Sequence, residues 1–287
     1  MHTLIKPTTE SQLLALTSFF KSMNGYLWRV NNNWLKGDPC QNFWHGIQCN
    51  IYGNIITMVF GENKMRGILP TEIVNLKDLE EFILYNEYDT YSEFHNRLFV
   101  IEKRINELFS LKTLILRNLN ITDSLVSSLY SFNRLEILDL SYNKIEGTLT
   151  NTITNLRVLK RLHLANNKIS GSLNSFNGFS GKLEVIELQN NILSSNIPSL
   201  DNLSQTLRVL DIRNNDMFGG IPNNYFNDKV FPKFIYMGVM LNPRLVIPKN
   251  CERQPFCFSS NFYNFRDAGD LSYSMNQDDK MYLKPVP

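Results

Sequence analysis

Asp139, His163, Glu187 and Asp211 are four residues able to exchange or hold protons, and they follow one another at intervals of 24 residues. A histidine among carboxylates can transfer protons, help to bind a cation, or be held protonated by its neighbours. Acid–base catalysis needs a nucleophile or an activated water beside the imidazole in a pocket, and nothing in this spacing pairs a nucleophile with His163. The chain has no HExxH, no GxSxG and no phosphate-cradling glycine loop. No catalysis and no cofactor are expected. Thiols offer the other route to chemistry. Cys40 and Cys49 form C-x8-C, and Cys251 and Cys257 form C-x5-C. Neither has the C-x2-C knuckle of a zinc site, and no histidine stands beside the second pair, so no metal is expected. The charged column is then read as a polar face for basic groups on a partner.

The interval of 24 residues is a property of the chain. LEILDLSYNKIEGTL begins at Leu135, LKRLHLANNKISGSL at Leu159, LEVIELQNNILSSNI at Leu183 and LRVLDIRNNDMFGGI at Leu207. Within each unit the apolar residues alternate with polar ones, as Leu138 and Leu140 do with Asp139 and Ser141, which marks a short strand with one buried face. One such unit cannot cover its own apolar edge, so the units must stack with their strands in parallel. The chain turns sharply after each strand and leaves backbone groups inside the stack. Asn143, Asn167, Asn191 and Asn215 can both donate to and accept from them. Weaker copies extend the register, with Asn63, Glu87 and Leu119 at the asparagine position upstream and Asn242 downstream. Eight repeats result, one with an insertion.

The form LxxLxLxxNxLxGxIP at this period resembles the plant-type class of the leucine-rich repeat family, to which receptor ectodomains belong. The resemblance covers about Thr9 to Cys257 and implies an α/β solenoid, curved, with parallel strands on its concave face and disulfide-bearing caps. GILP, NIP and GGIP keep the end of the motif, whereas GTLT and GSLN in the middle repeats lose its proline. A regular second sheet is therefore not expected along the side. ESQLLALTSFFKSM reads as an amphipathic helix from Glu10, capped by Thr8 or Thr9 and closed near Asn24 and Gly25. Trp34, Asp38, Pro39, Cys40, Trp44, Gly46 and Cys49 match the W…DPC…WxGxxC cap of the family. The expected layout is a cap over 1–53, repeats over 54–245 with an insertion at about 87–104, a second cap over 246–265 and a flexible tail over 266–287.

With the two cysteine pairs at opposite ends of a solenoid, local bridges Cys40–Cys49 and Cys251–Cys257 are favoured among the three possible pairings. Disulfides persist in oxidising compartments, so an extracellular or cell-surface protein is expected. Asn120 in NIT and Asn202 in NLS are sequons for N-linked glycan in that setting. The first ten residues lack the apolar run of a secretion leader, and no stretch approaches the length of a membrane span. A net charge of +2 supplies no field to gather nucleic acid.

Outward-facing positions of the strands should form columns on the concave face. One runs Val59, Ile83, Ile115, Asp139, His163, Glu187, Asp211, apolar at one end and charged at the other. Its neighbour includes Tyr85, Arg117 and Arg213, with Tyr142 just beyond. An apolar patch around Ile83, Tyr85 and Ile115 would suit a protein or peptide partner. Tyr88, Tyr91 and Phe94 in the insertion could add aromatic anchors. Leu98, Ile101, Ile105 and Leu108 recur at helical spacing, predicting a helix on the convex side. The leading expectation is extracellular recognition. A structural or adhesion scaffold, or an intracellular interaction scaffold, is the alternative.

Overall fold

The computed structural model describes residues 5–87, 93–122, 124, 131–180 and 182–248. Among them, nine strands form one sheet in chain order. Ile47–Cys49 belongs to the cap and pairs antiparallel with Ile55–Phe60. Glu81–Tyr85, Thr113–Arg117, Ile137–Asp139, Arg161–His163, Val185–Glu187, Val209–Asp211 and Tyr236–Gly238 then follow, each parallel to the last. Eight of the nine strands thus come from repeats, as the period requires. Parallel neighbours need a crossover between them. Here it is a short strand or turn followed by a 3-10 turn, such as Thr71–Asn75 or Asn151–Asn155. The inward leucines Leu138, Leu162 and Leu210 and the crossover residues Ile153, Leu156 and Leu159 are all buried in one continuous core.

Short side sheets flank the stack. Glu146–Leu149, Lys168–Gly171 and Ile192–Leu193 form the longest of them, and two further pairs stand apart from it. The longest of these sheets joins the two middle repeats that lack the motif's proline to the next repeat, which keeps it. Gly171 sits at φ +112°, where a Cβ would lie 2.7 Å from the Leu149 carbonyl oxygen, so glycine is required there.

The asparagine ladder explains how the turns are satisfied. Asn143 Oδ1 accepts from the N–H groups of Leu119 and Ile121 in the preceding repeat, at 3.0 and 3.1 Å. Its Nδ2 donates to the carbonyls of Leu116, Leu140 and Ser141. Asn167, Asn191, Asn215 and Asn242 repeat the donor pattern. At the other end, Asn63 exchanges two hydrogen bonds with the backbone of Val30 and so fastens the cap.

Two expectations fail at the insertion. Glu87 is not a rung of the ladder: it is exposed, and Asn96 takes the place. Asn96 Oδ1 accepts from Asn63 and Met65 N–H, and its Nδ2 donates to the carbonyls of Gly61 and Tyr85. The added residues thus fall before the rung. The next rung is Leu119, which has no amide to offer. Asn86 compensates, accepting from Asn96 N–H and donating to the Asn96 and Asn118 carbonyls, while Leu98 N–H finds the Leu119 carbonyl. The predicted convex helix is absent as well. Leu98 lies in the strand Arg97–Leu98 and Ile105 in a 3-10 turn, Ile105–Glu107. Leu98, Ile101, Ile105 and Leu108 are all buried, so their spacing reports an ordinary crossover facing the core.

The cap forms as its motif implies. The helix Glu10–Ser22 starts after Thr9, and Asn24 adopts the left-handed conformation just past its end. Phe19 packs against Trp28, Trp34, Phe60 and Phe82 at ring separations of 5.6 to 6.3 Å. Asp38 holds the loop, accepting from the N–H groups of Thr8, Cys40 and Gln41. That places Cys40 to bridge Cys49, with Cα atoms 5.6 Å apart. Cys251, Cys257, the second cap and the tail lie largely or wholly outside the described residues.

Where the chain enters the concave sheet, Glu80, Lys112, Glu136, Lys160, Glu184 and Arg208 alternate in sign from repeat to repeat. Consecutive members are joined by backbone hydrogen bonds of 2.7 to 2.8 Å. Lys112 pairs with Glu80 at 2.7 Å and Lys160 with Glu136 at 2.5 Å.

Candidate functional site on the concave face

The strand register assembles the expected column. Val59 lies opposite Ile83, Ile83 opposite Ile115 and Ile115 opposite Asp139. His163, Glu187 and Asp211 then follow on successive strands. Val59, Ile83 and Tyr85 are half-buried, and Ile115 is 9% exposed. Tyr85 stands beside Arg117 and reaches over Gly61, where a Cβ would come within 3.1 Å of its hydroxyl. Burial raises the Tyr85 phenol above its usual range, with Glu87 adding to the effect and Arg117 opposing it.

The charged half is less solvated than its sequence suggests, because its carboxylates are engaged by neighbours. Asp211 has no exposed surface. Arg213 spans both of its oxygens, with Nη2 2.6 Å from Oδ2, and the Tyr236 hydroxyl lies 3.5 Å from the same atom. Burial would lower the Arg213 guanidinium, but its bonds to Asp211 more than reverse this and hold it charged. Gly238 completes the cage, since a Cβ there would stand 2.5 Å from Asp211 Oδ1. Asp139 accepts from Ser141 N–H and lies 3.9 Å from Arg117. Arg213 and Tyr236 create this burial, and no residue type in the Asp–His–Glu–Asp column announces it. Gln189, 2% exposed, is a further residue the sequence does not single out, for neither of its amide atoms has a hydrogen-bond partner among the described residues.

His163 Nδ1 lies 2.7 Å from Glu187 Oε2. Burial pulls the imidazole down, yet Glu187, by charge and hydrogen bond, and Asp139 behind it raise it overall against Arg161. Its folded-state pKa therefore lies above that of a free imidazole. The resulting stabilisation is full below the free value and is lost as pH rises through the folded pKa. As pH rises from the ordinary range of a free imidazole, about 6.5, through the raised folded pKa, the Tm advantage of the native chain over Glu187→Gln is expected to shrink, and below that range it should be constant. The His163 ring-proton shifts should titrate above a free imidazole, and a midpoint at or below it would contradict this account.

The other expected residues are scattered. Phe94 is half-buried beneath the Arg29 guanidinium, 4.7 Å from its ring centre, and Tyr88 and Tyr91 lie outside the described residues. Tyr142 takes a left-handed conformation at the rim, φ +58°. It helps line a cleft of about 430 Å³ beside the insertion. Among the described residues no group of three or more His, Cys, Asp or Glu is placed to hold a metal ion, and no helix is long and apolar enough to cross a membrane.

The family model for the leucine-rich repeat matches residues 134–156. A probable leucine-rich repeat receptor-like protein kinase of Arabidopsis thaliana is 33% identical over 51 residues, which are 18% of this chain and 5% of that protein. The match thus spans a small fraction of that relative. Among solved structures, a plant ice-binding protein superposes with a TM-score of 0.69 at 20% identity, over 84% of this chain and 73% of that one. The structure of PEPR1–AtPEP1 gives 0.64 at 24% identity, over 83% and 32%. The ectodomain of the Arabidopsis receptor kinase HAESA, in complex with an extended IDA peptide hormone, gives 0.59 at 23% identity, over 81% and 42%. At such identities the structural likeness establishes the fold alone. Repeat, cap and likenesses agree on a leucine-rich repeat fold of the plant type, similar to that of receptor-like ectodomains.

Proposed function

We propose that the chain is a non-catalytic recognition module that works outside the cell and binds a protein or peptide partner through its concave face and insertion edge. The observation that carries this reading is the pair Val59 and Ile83, half-buried on adjacent strands with Tyr85 beside them and the nearly covered Ile115 next in line. Such a strip, bordered by fixed charges, offers apolar area to an extended chain and polar groups that set its register. HAESA carries a peptide hormone in the structure named above, which favours a peptide as occupant. The Cys40–Cys49 bridge supports an oxidising location.

The test pans a random-peptide display library against the oxidised protein. Enriched peptides should bind tenfold or more weakly to Ile83→Asp and Tyr85→Ala, a loss of about 1.4 kcal/mol or greater, with unchanged melting curves. Enrichment indifferent to both variants would overturn the concave reading. Self-association of the native chain in sedimentation, abolished by the same variants, would favour the scaffold role instead.

A further inference from the structure

The two sequons differ in what their amide nitrogens are doing. Asn202 Nδ2 donates to the carbonyls of Phe176 and Phe179 in the preceding repeat, at 3.0 and 2.9 Å. An N-glycosidic bond replaces one hydrogen of that nitrogen, so a glycan there would remove at least one of the two bonds and force its first sugar into the contact between repeats. Asn120 is placed differently. It follows rung Leu119 directly, the position at which Lys144, Lys168 and Asp216 are exposed in later repeats, and is itself half-buried. Its side chain has no hydrogen bond among the described residues, its backbone is left-handed at φ +63°, and Thr122 of the sequon is exposed.

Asn120 also forms part of the wall of the cleft beside the insertion. Asn86, Arg97, Asn118, Tyr142 and Lys144 line the same space. Its volume, about 430 Å³, falls within the range of roughly 300–1,000 Å³ that holds small organic ligands. The exposed heads of Arg97 and Lys144 can donate to the hydroxyl and acetamide oxygens of sugars.

We propose that Asn120 carries an N-linked glycan whose first sugars lie in this cleft, and that Asn202 stays unmodified as a structural donor. In the transfer, the Asn120 Nδ2–C1 bond forms and the bond from C1 to the pyrophosphate oxygen of a lipid-linked oligosaccharide breaks. The lipid pyrophosphate leaves with the electron pair and the amide gives up one proton. This inference rests on the extracellular reading, because only the secretory pathway supplies that donor.

The test expresses the full chain behind a secretion leader in a eukaryotic host. Sites are read by mass spectrometry after enzymatic glycan release in heavy-oxygen water. High occupancy at Asn120 and little at Asn202 is the expected result, whereas a bare Asn120, or an occupied Asn202 in secreted folded protein, would overturn it. Thr122→Ala removes the sequon without altering Asn120 itself. Hydroxyl-radical labelling of Tyr142 should then rise several-fold over the glycosylated chain, and equal labelling would refute the seating of the glycan in the cleft. Failure of the extracellular reading has a separate signature: native protein found in the cytosol with Cys40 and Cys49 reduced, whatever the host attaches to Asn120.

Discussion

Asn143→Ala is expected to lower the unfolding free energy by about 3–4 kcal/mol, read from urea denaturation followed by circular dichroism. The substitution removes an amide that serves two N–H groups and three carbonyls at a turn buried between repeats. A buried polar group stripped of its partner costs about 1–3 kcal/mol, and several are stripped at once, although carbonyls that keep a ladder partner soften the sum. Asn96→Ala should fall in the same class, since Asn96 makes the same kinds of bond across the insertion. Glu87→Ala should stay within about 0.5 kcal/mol of the native chain, as exposed substitutions usually do. If Glu87→Ala proved as damaging as Asn96→Ala, the ladder would run through residue 87 and the description of the insertion would be wrong.

Phe19→Ala is the second large effect. The ring is fully buried and touches four others that belong to the cap and the first two repeats. Truncating a buried phenylalanine costs about 3–5 kcal/mol through lost transfer energy and the cavity left behind. Edge-to-face contacts with Trp28 and Phe82 add to the loss. Because a solenoid is stabilised by contacts between neighbours, loosening its cap exposes the core residues Met58 and Phe60 of the first repeat as well. Tryptophan emission should therefore shift to the red with Trp28 and Trp34. A loss below about 1 kcal/mol would mean that the cavity collapses and that the cap does not depend on this ring.

The legible part of the fold was the part written in the period. From Asn143 to Asn242 the rungs stand where the spacing puts them, and the concave column follows from the same count. The cap was legible because Asp38, Cys40 and Cys49 have fixed tasks within a few residues of each other. Counting failed at Glu87, since an insertion moves every later position and its entry point leaves no mark until Asn96 is seen at work. Leu98 to Leu108 misled for another reason: apolar residues three or four apart serve a 3-10 crossover as well as a helix. At the candidate site, which residues share a strand edge could be read, but their exposure could not. Asp211 is buried because Arg213 closes on it from two residues away and Tyr236 from the next strand, a tertiary outcome with no local signature.

The alternation of charge along the entry edge makes the pair of repeats, and not the single repeat, the unit in which this solenoid can change length. Removing the repeat that carries Glu136 would set Lys112 beside Lys160, whereas removing two would set Lys112 beside Glu184 and keep opposite signs in contact. Each exposed pair is worth little on its own, about 0–1 kcal/mol. Yet like charges in direct register are unfavourable, and they would recur at the joint of every odd deletion or duplication. The edge thus acts as a parity rule, under which gain or loss of repeats in twos costs less than gain or loss of one.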